Sequence, residues 1–132
     1  MEELTFRLES ARQASMTLEE SLREPPGVMA RDASVKRFEY GFEAVWKLTH
    51  AYLQEKEGSV ANSPKGCFRE ALRVGLLNVE ETELCLTMTD DRNLTTHTYQ
   101  VAVAQAVYER ANGYLKIMRS LVERVALRLK VV

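Results

Sequence analysis

An apolar series runs without a break through the C-terminal part of the sequence: Val101, Ala104, Tyr108, Ala111, Leu115, Met118, Val122, Val125 and Leu129, spaced by three and four. Only an α-helix brings that spacing to one side, and at ~1.5 Å per residue such a helix would be on the order of 45 Å long. It is the longest helix the sequence predicts. A second apolar row, Val103, Val107, Tyr114, Ile117 and Leu121, lies beside the first and is interrupted by Arg110. A helix with two apolar faces must bury both. Either a wide core face takes both rows, or one row faces the chain's own bundle and the other a second subunit.

The remaining periodicity is also helical. Leu4, Leu8, Ala11, Ser15, Leu18 and Leu22 form one stripe, which "REPPGV" ends because proline rings remove donors and clash with the preceding turn. A second helix is expected from about Asp32 to Glu57, with Val35, Phe38, Phe42, Val45, Trp46, Thr49, Tyr52 and Leu53 on one side. Ser63 and Pro64 predict the N-cap and first position of a third helix, and Gly75 its end. Asn78 and Glu81 have the spacing of a capping box for a fourth, expected to run out near Asp90. No strand pattern competes. At 132 residues the chain is expected to be one helical domain over 1–132, residues 1–30 being an N-terminal helix and turn. The fold class is all-α: an antiparallel up-and-down four-helix bundle with an additional short helix.

With 18 basic and 19 acidic side chains, no global field draws the chain to nucleic acid or membrane, so a polyanion site must be local. Cys67 and Cys85 lack CxxC or histidine spacing, which argues against a metal site or disulfide and for a cytoplasmic setting. No cofactor is implied. No 18-residue apolar run suggests a membrane span.

Chemistry concentrates in "DRNLTTHTYQ". Arg92 is a forked cation suited to phosphate, and His97 can move protons near neutral pH. In one continuous helix, five residues would set them ~140° apart. The Asn93, Thr95, Thr96, Thr98 run favours a break that lets them converge, with a fifth helix starting close to His97. The plainer alternative is that Arg92 and Asn93 cap the fourth helix while His97 and Tyr99 pack there.

The order "RFEYGFEAVWK", "SPKGCFREALRVGLL", "DDRNLTTHTYQ" and "AVYERANGYL" resembles the HEPN fold, and within it the nucleotidyltransferase substrate-binding proteins encoded beside minimal nucleotidyltransferases. The resemblance covers about residues 34–125, with Arg92, His97 and Tyr99 fitting R-x4-H-x-Y, Asn93 in the usual place, and Glu43, Trp46 and Lys47 on the expected helix. Cys85 stands where tryptophan is usual and Gln100 where aspartate is common. The resemblance implies a homodimer whose two Arg92–His97 motifs meet in a cleft that cuts RNA without metal. It further implies a cognate nucleotidyltransferase that acts as antitoxin by adding AMP to Tyr99. A non-catalytic nucleotide-binding subunit using the same Arg92, or a scaffold in which the motif is incidental, are the alternatives. For RNA phosphates, Lys65, Arg69 and Arg73 form a basic row at four-residue spacing, unless it is a solvated face balanced by Glu70.

Overall fold

Capping chemistry sets where the helices begin and end. The computed structural model describes residues 2–130: α1 (Glu2–Arg23), α2 (Val28–Glu57), α3 (Pro64–Arg73), α4 (Val79–Leu94), a 3-10 turn over Thr95–His97, and α5 (Val101–Arg128). At α3 the Ser63 hydroxyl accepts from the Gly66 amide at 3.1 Å, with Pro64 at the first position, where its missing N–H costs nothing. A Cβ on Gly66 would sit 2.8 Å from that hydroxyl, so a larger residue there would make the Ser63 side chain shift. Gly75, at φ 77°, ends this segment in the left-handed region that favours glycine. At α4 Asn78 and Glu81 exchange bonds of 2.8 and 2.9 Å, the capping box the sequence predicts.

Two boundaries differ from expectation. The second helix starts at Val28 rather than near Asp32, because Gly27 already acts as N-cap and its carbonyl accepts from the Arg31 amide at 2.8 Å. At 30 residues α2 therefore exceeds α5, which has 28. The fourth helix continues past Asp90 to Leu94.

The architecture is the all-α bundle expected, four long helices and the short α3. Helices adjacent in the chain run antiparallel: Ser34 bonds Ser21 at 2.8 Å and Arg37 bonds the Thr17 carbonyl at 2.7 Å across α1–α2. Arg124 bonds Glu81, and Arg110 bonds Asp91, across α4–α5. The central pair is parallel. Phe38 stacks on Tyr114 with ring centroids 5.4 Å apart, and Arg128 reaches the Tyr52 hydroxyl at 3.2 Å near the other end of α2 and α5.

This layering corrects one inference from the sequence. In the row that suggested a second subunit, Val107, Tyr114, Ile117 and Leu121 are 0–5% exposed within a single chain and Val103 is partly buried. The first row faces α1 and α2, where the Arg12–Glu123 and Arg119–Glu19 ion pairs bridge α1 to α5 and Met118 abuts Gly41. The second row faces α4 and the segment after α3, where Arg124 bonds Glu81 and the Leu76 carbonyl, and its Tyr114 also stacks on Phe38 of α2. From Ala104 onward both faces of α5 are thus covered inside the bundle, in line with the wide-core alternative, while Val101 stays exposed. Each large apolar side chain so buried contributes ~1.5–3 kcal/mol.

Cys67 and Cys85 are buried and unpaired, and burial pushes their thiols up to about 11 and about 12. They pack as small apolar groups. Among the described residues no helix is long and apolar enough to cross a membrane.

Candidate functional site

Threonine hydroxyls shape the junction between α4 and α5. Thr95 Oγ1 donates to the Arg92 carbonyl at 2.6 Å, Thr96 Oγ1 to Asn93 at 3.2 Å and Thr98 Oγ1 to Thr95 at 3.2 Å. These bonds satisfy carbonyls that a continuing helix would have used, so the α-helix tightens into one 3-10 turn and stops. The break falls after Leu94, so Arg92 and Asn93 stay inside α4. The helix start expected beside His97 is displaced to Val101, with Thr98, Tyr99 and Gln100 between.

Arg92 and His97 consequently face different surroundings. The Arg92 side chain is 22% exposed, its Nη2 lies 3.3 Å from Glu43 Oε1 on α2, and its Nη1 is 3.5 Å from Thr95 Oγ1. Its Nε is buried and has no acceptor. His97 is exposed, and its Nδ1 lies 3.2 Å from the Tyr99 hydroxyl. Among the described residues no hydrogen bond or ion pair joins Arg92 to His97. Tyr99 is 75% exposed, whereas Tyr114 is 2% exposed and Tyr108 partly buried.

The structure adds Glu43 to these residues. Its Oε1 holds Arg92, while Oε2 accepts the indole N–H of Trp46 at 3.2 Å and lies 3.9 Å from Lys47 Nζ. Three cationic or donor groups converge on one carboxylate, which fixes the guanidinium from beneath. Asp91, one residue before Arg92, anchors the same turn of α4. Its carboxylate is 6% exposed and accepts from Arg110 at 2.6 and 2.9 Å and from the Tyr114 hydroxyl. Burial, then the Asp91 bond, pushes the Tyr114 phenol above its ordinary range, and the bond to Asp91 raises Arg110. The signal for Asp91 was in the sequence: Arg110 interrupts an apolar row, and a charge in such a row needs a partner.

The basic row is only partly available. Lys65 pairs with Asp90 at 2.6 Å, tying α3 to the turn that carries Arg92, and Arg73 pairs with Glu70. Arg69 and Asn93 are exposed. A groove of about 350 Å³ lies beside Tyr99, lined by Arg31, Asp32, Val35, Lys36 and Glu39 of α2 together with Thr98, Tyr99 and Val101. No group of three histidine, cysteine, aspartate or glutamate residues among those described could hold a metal ion.

A family model described as nucleotidyltransferase substrate binding protein like matches residues 6–126, taking in most of α1. The chain is similar to a Haemophilus influenzae protein named "Probable ribonuclease HepT", 30% identical over 99 residues. That alignment covers 72% of this chain and 66% of the relative, just under two thirds of its length. A Thermus thermophilus crystal structure superposes with a TM-score of 0.84 at 47% identity, covering 87% of this chain and 98% of that one.

Proposed function

This chain belongs to the nucleotidyltransferase substrate binding protein-like family, and from that premise we propose that it is a HEPN ribonuclease toxin, paired with a nucleotidyltransferase antitoxin, that cleaves RNA without metal through Arg92 and His97. The observation that carries the reading is the α4–α5 junction. A partly exposed guanidinium held by Glu43 lies five residues before an exposed imidazole whose Nδ1 is already engaged by Tyr99. The imidazole Nε2 is left for a substrate proton. The similarity to a protein named as a probable ribonuclease supports the same chemistry.

In this reading His97 Nε2 takes the proton of a ribose 2′-OH as that oxygen attacks the adjacent phosphorus. Arg92 neutralises charge on the phosphoryl oxygens. The 5′-oxygen leaves with a proton from a second His97, giving a 2′,3′-cyclic phosphate and a 5′-hydroxyl. One chain has one such histidine, so the reaction takes a homodimer. With α5 covered beyond its first turn, the second copy docks at the junction, where Leu94, Tyr99 and Val101 are 41, 75 and 64% exposed. Asn93 contacts the same substrate, and Lys65, Arg69 and Arg73 extend its phosphate path along α3. Tyr99, the most exposed of the tyrosines, is the AMP acceptor for the partner nucleotidyltransferase. An added nucleotide there covers His97 sterically and adds a negative charge.

The test is purified protein incubated with RNA in EDTA. Wild type is expected to leave 2′,3′-cyclic ends, and His97→Ala to lose roughly 100-fold or more in rate with little change in RNA affinity. Arg92→Ala should lose both affinity and rate. Sedimentation should give a dimer that Val101→Glu dissociates. Nucleotide binding that survives His97→Ala, with no cleavage by wild type, would instead identify a non-catalytic substrate-binding subunit.

A further inference from the structure

Two residues apart in an α-helix, side chains diverge by ~200° and do not meet. The 3-10 turn and the link that follows it bring His97 and Tyr99 together instead. Their rings meet edge to face, with centroids 5.8 Å apart and an interplanar angle of 71°, and His97 Nδ1 lies 3.2 Å from Tyr99 Oη.

We propose that His97 Nδ1 is the proton acceptor when Tyr99 receives a nucleotidyl group, so that one imidazole serves RNA cleavage through Nε2 and modification of its neighbour through Nδ1. This rests on the reading of Tyr99 as the acceptor. The step balances with a nucleoside triphosphate as the only co-reactant. Tyr99 Oη forms a bond to the α-phosphorus, and the bond from that phosphorus to the oxygen bridging it to the β-phosphorus breaks. Pyrophosphate leaves with the bonding pair, and the phenolic proton passes to Nδ1. The imidazolium then returns a proton to water.

Other bases on this chain are less well placed. The carboxylates that share the groove beside Tyr99 are Asp32 and Glu39. Asp32 Oδ1 accepts from Arg31 Nε at 3.0 Å, and Glu39 Oε1 lies 3.4 Å from Lys36 Nζ. Neither bonds Tyr99, and among the described residues His97 is the group hydrogen-bonded to Oη.

The modification also changes what this hydrogen bond can do. Free Tyr99 can donate to Nδ1 or accept from it, and that bond selects the imidazole tautomer. Once esterified, Oη carries no proton. It can then only accept, which holds the ring proton on Nδ1 and leaves His97 in one tautomer.

The experiment uses the full chain with its cognate nucleotidyltransferase and ATP labelled at the α-phosphate. Transfer rates are compared for wild type, Tyr99→Phe, His97→Ala and His97→Asn, and partner affinity is measured separately so that lost labelling is not lost docking. His97 is exposed, so both variants should keep the wild-type circular dichroism. Asparagine keeps a hydrogen-bond acceptor near the Nδ1 position but cannot take the proton. The expectation is no label on Tyr99→Phe, a loss of roughly 100-fold in both His97 variants, and restoration of His97→Ala by added imidazole. A wild-type rate in His97→Asn would overturn the proposal by reducing the bond to positioning. An unchanged rate in His97→Ala would overturn it by assigning the base to the partner, and failure of imidazole to restore any rate would also overturn it. If wild type takes no label, or Tyr99→Phe takes as much as wild type, the reading of Tyr99 itself fails and this inference falls with it.

Discussion

Removing the more exposed partner of the Asp91–Arg110 pair should destabilise the protein more than removing the buried one. Asp91's carboxylate is 6% exposed and Arg110's side chain 47%. Arg110→Ala removes both guanidinium bonds from a carboxylate seated in the core, with only the Tyr114 hydroxyl left to compensate it. Loss of one partner from a buried pair costs ~3–5 kcal/mol, and the partial exposure of Arg110 argues for the low end. Asp91→Ala leaves a guanidinium that half faces water and rehydrates, so that side of the pair costs ~0–1 kcal/mol. Its main cost is the stranded Tyr114 hydroxyl, ~1–3 kcal/mol, for a total of about 2. At roughly 3 °C per kcal/mol for a domain of this size, Tm should fall by about 9 °C for Arg110→Ala and about 6 °C for Asp91→Ala. The double variant should be more stable than Arg110→Ala alone, because deleting the carboxylate removes the uncompensated charge. Urea unfolding followed by circular dichroism measures all three. Greater loss in Asp91→Ala than in Arg110→Ala, or additive losses in the double variant, would refute the reasoning.

Acid should weaken the protein partly through Glu81, whose carboxyl is held below its usual range first by the Arg124 hydrogen bond and then, against burial, by the Asn78 amide. A lowered folded-state value means the stabilisation is present above the unfolded value of ~4.3 and is lost as pH falls below it. Glu81→Gln should flatten that acid limb in urea titrations at successive pH values. The only tryptophan in the sequence, Trp46, donates to the carboxylate that holds Arg92. Its emission should therefore change when AMP titrates onto wild type and stay constant in Arg92→Ala; a response that survives Arg92→Ala places the nucleotide elsewhere.

Helix number and type, and the caps at Ser63 and Asn78, were legible because they depend on residues within one turn of each other. The start of α2 at Val28 was not, since glycine caps through its backbone and carries no side-chain mark. The second apolar row of α5 was visible, but its cover was not. A stripe states that a face is buried and not by what, and here α1 and α2 on one side and α4 on the other cover α5.

At the site, the residue types and their clustering came from the sequence: Arg92, His97 and Tyr99 sit in one short segment rich in threonine, and threonine breaks helices by local hydrogen bonds. Their orientation was decided by tertiary structure. The 3-10 turn joined His97 to Tyr99 instead of Arg92, and Glu43, 49 residues earlier in the sequence, took the guanidinium. Local hydrogen bonds can be read from neighbours in sequence, whereas the partner of a buried charge depends on which helix packs against it, and that is fixed only when the whole core closes.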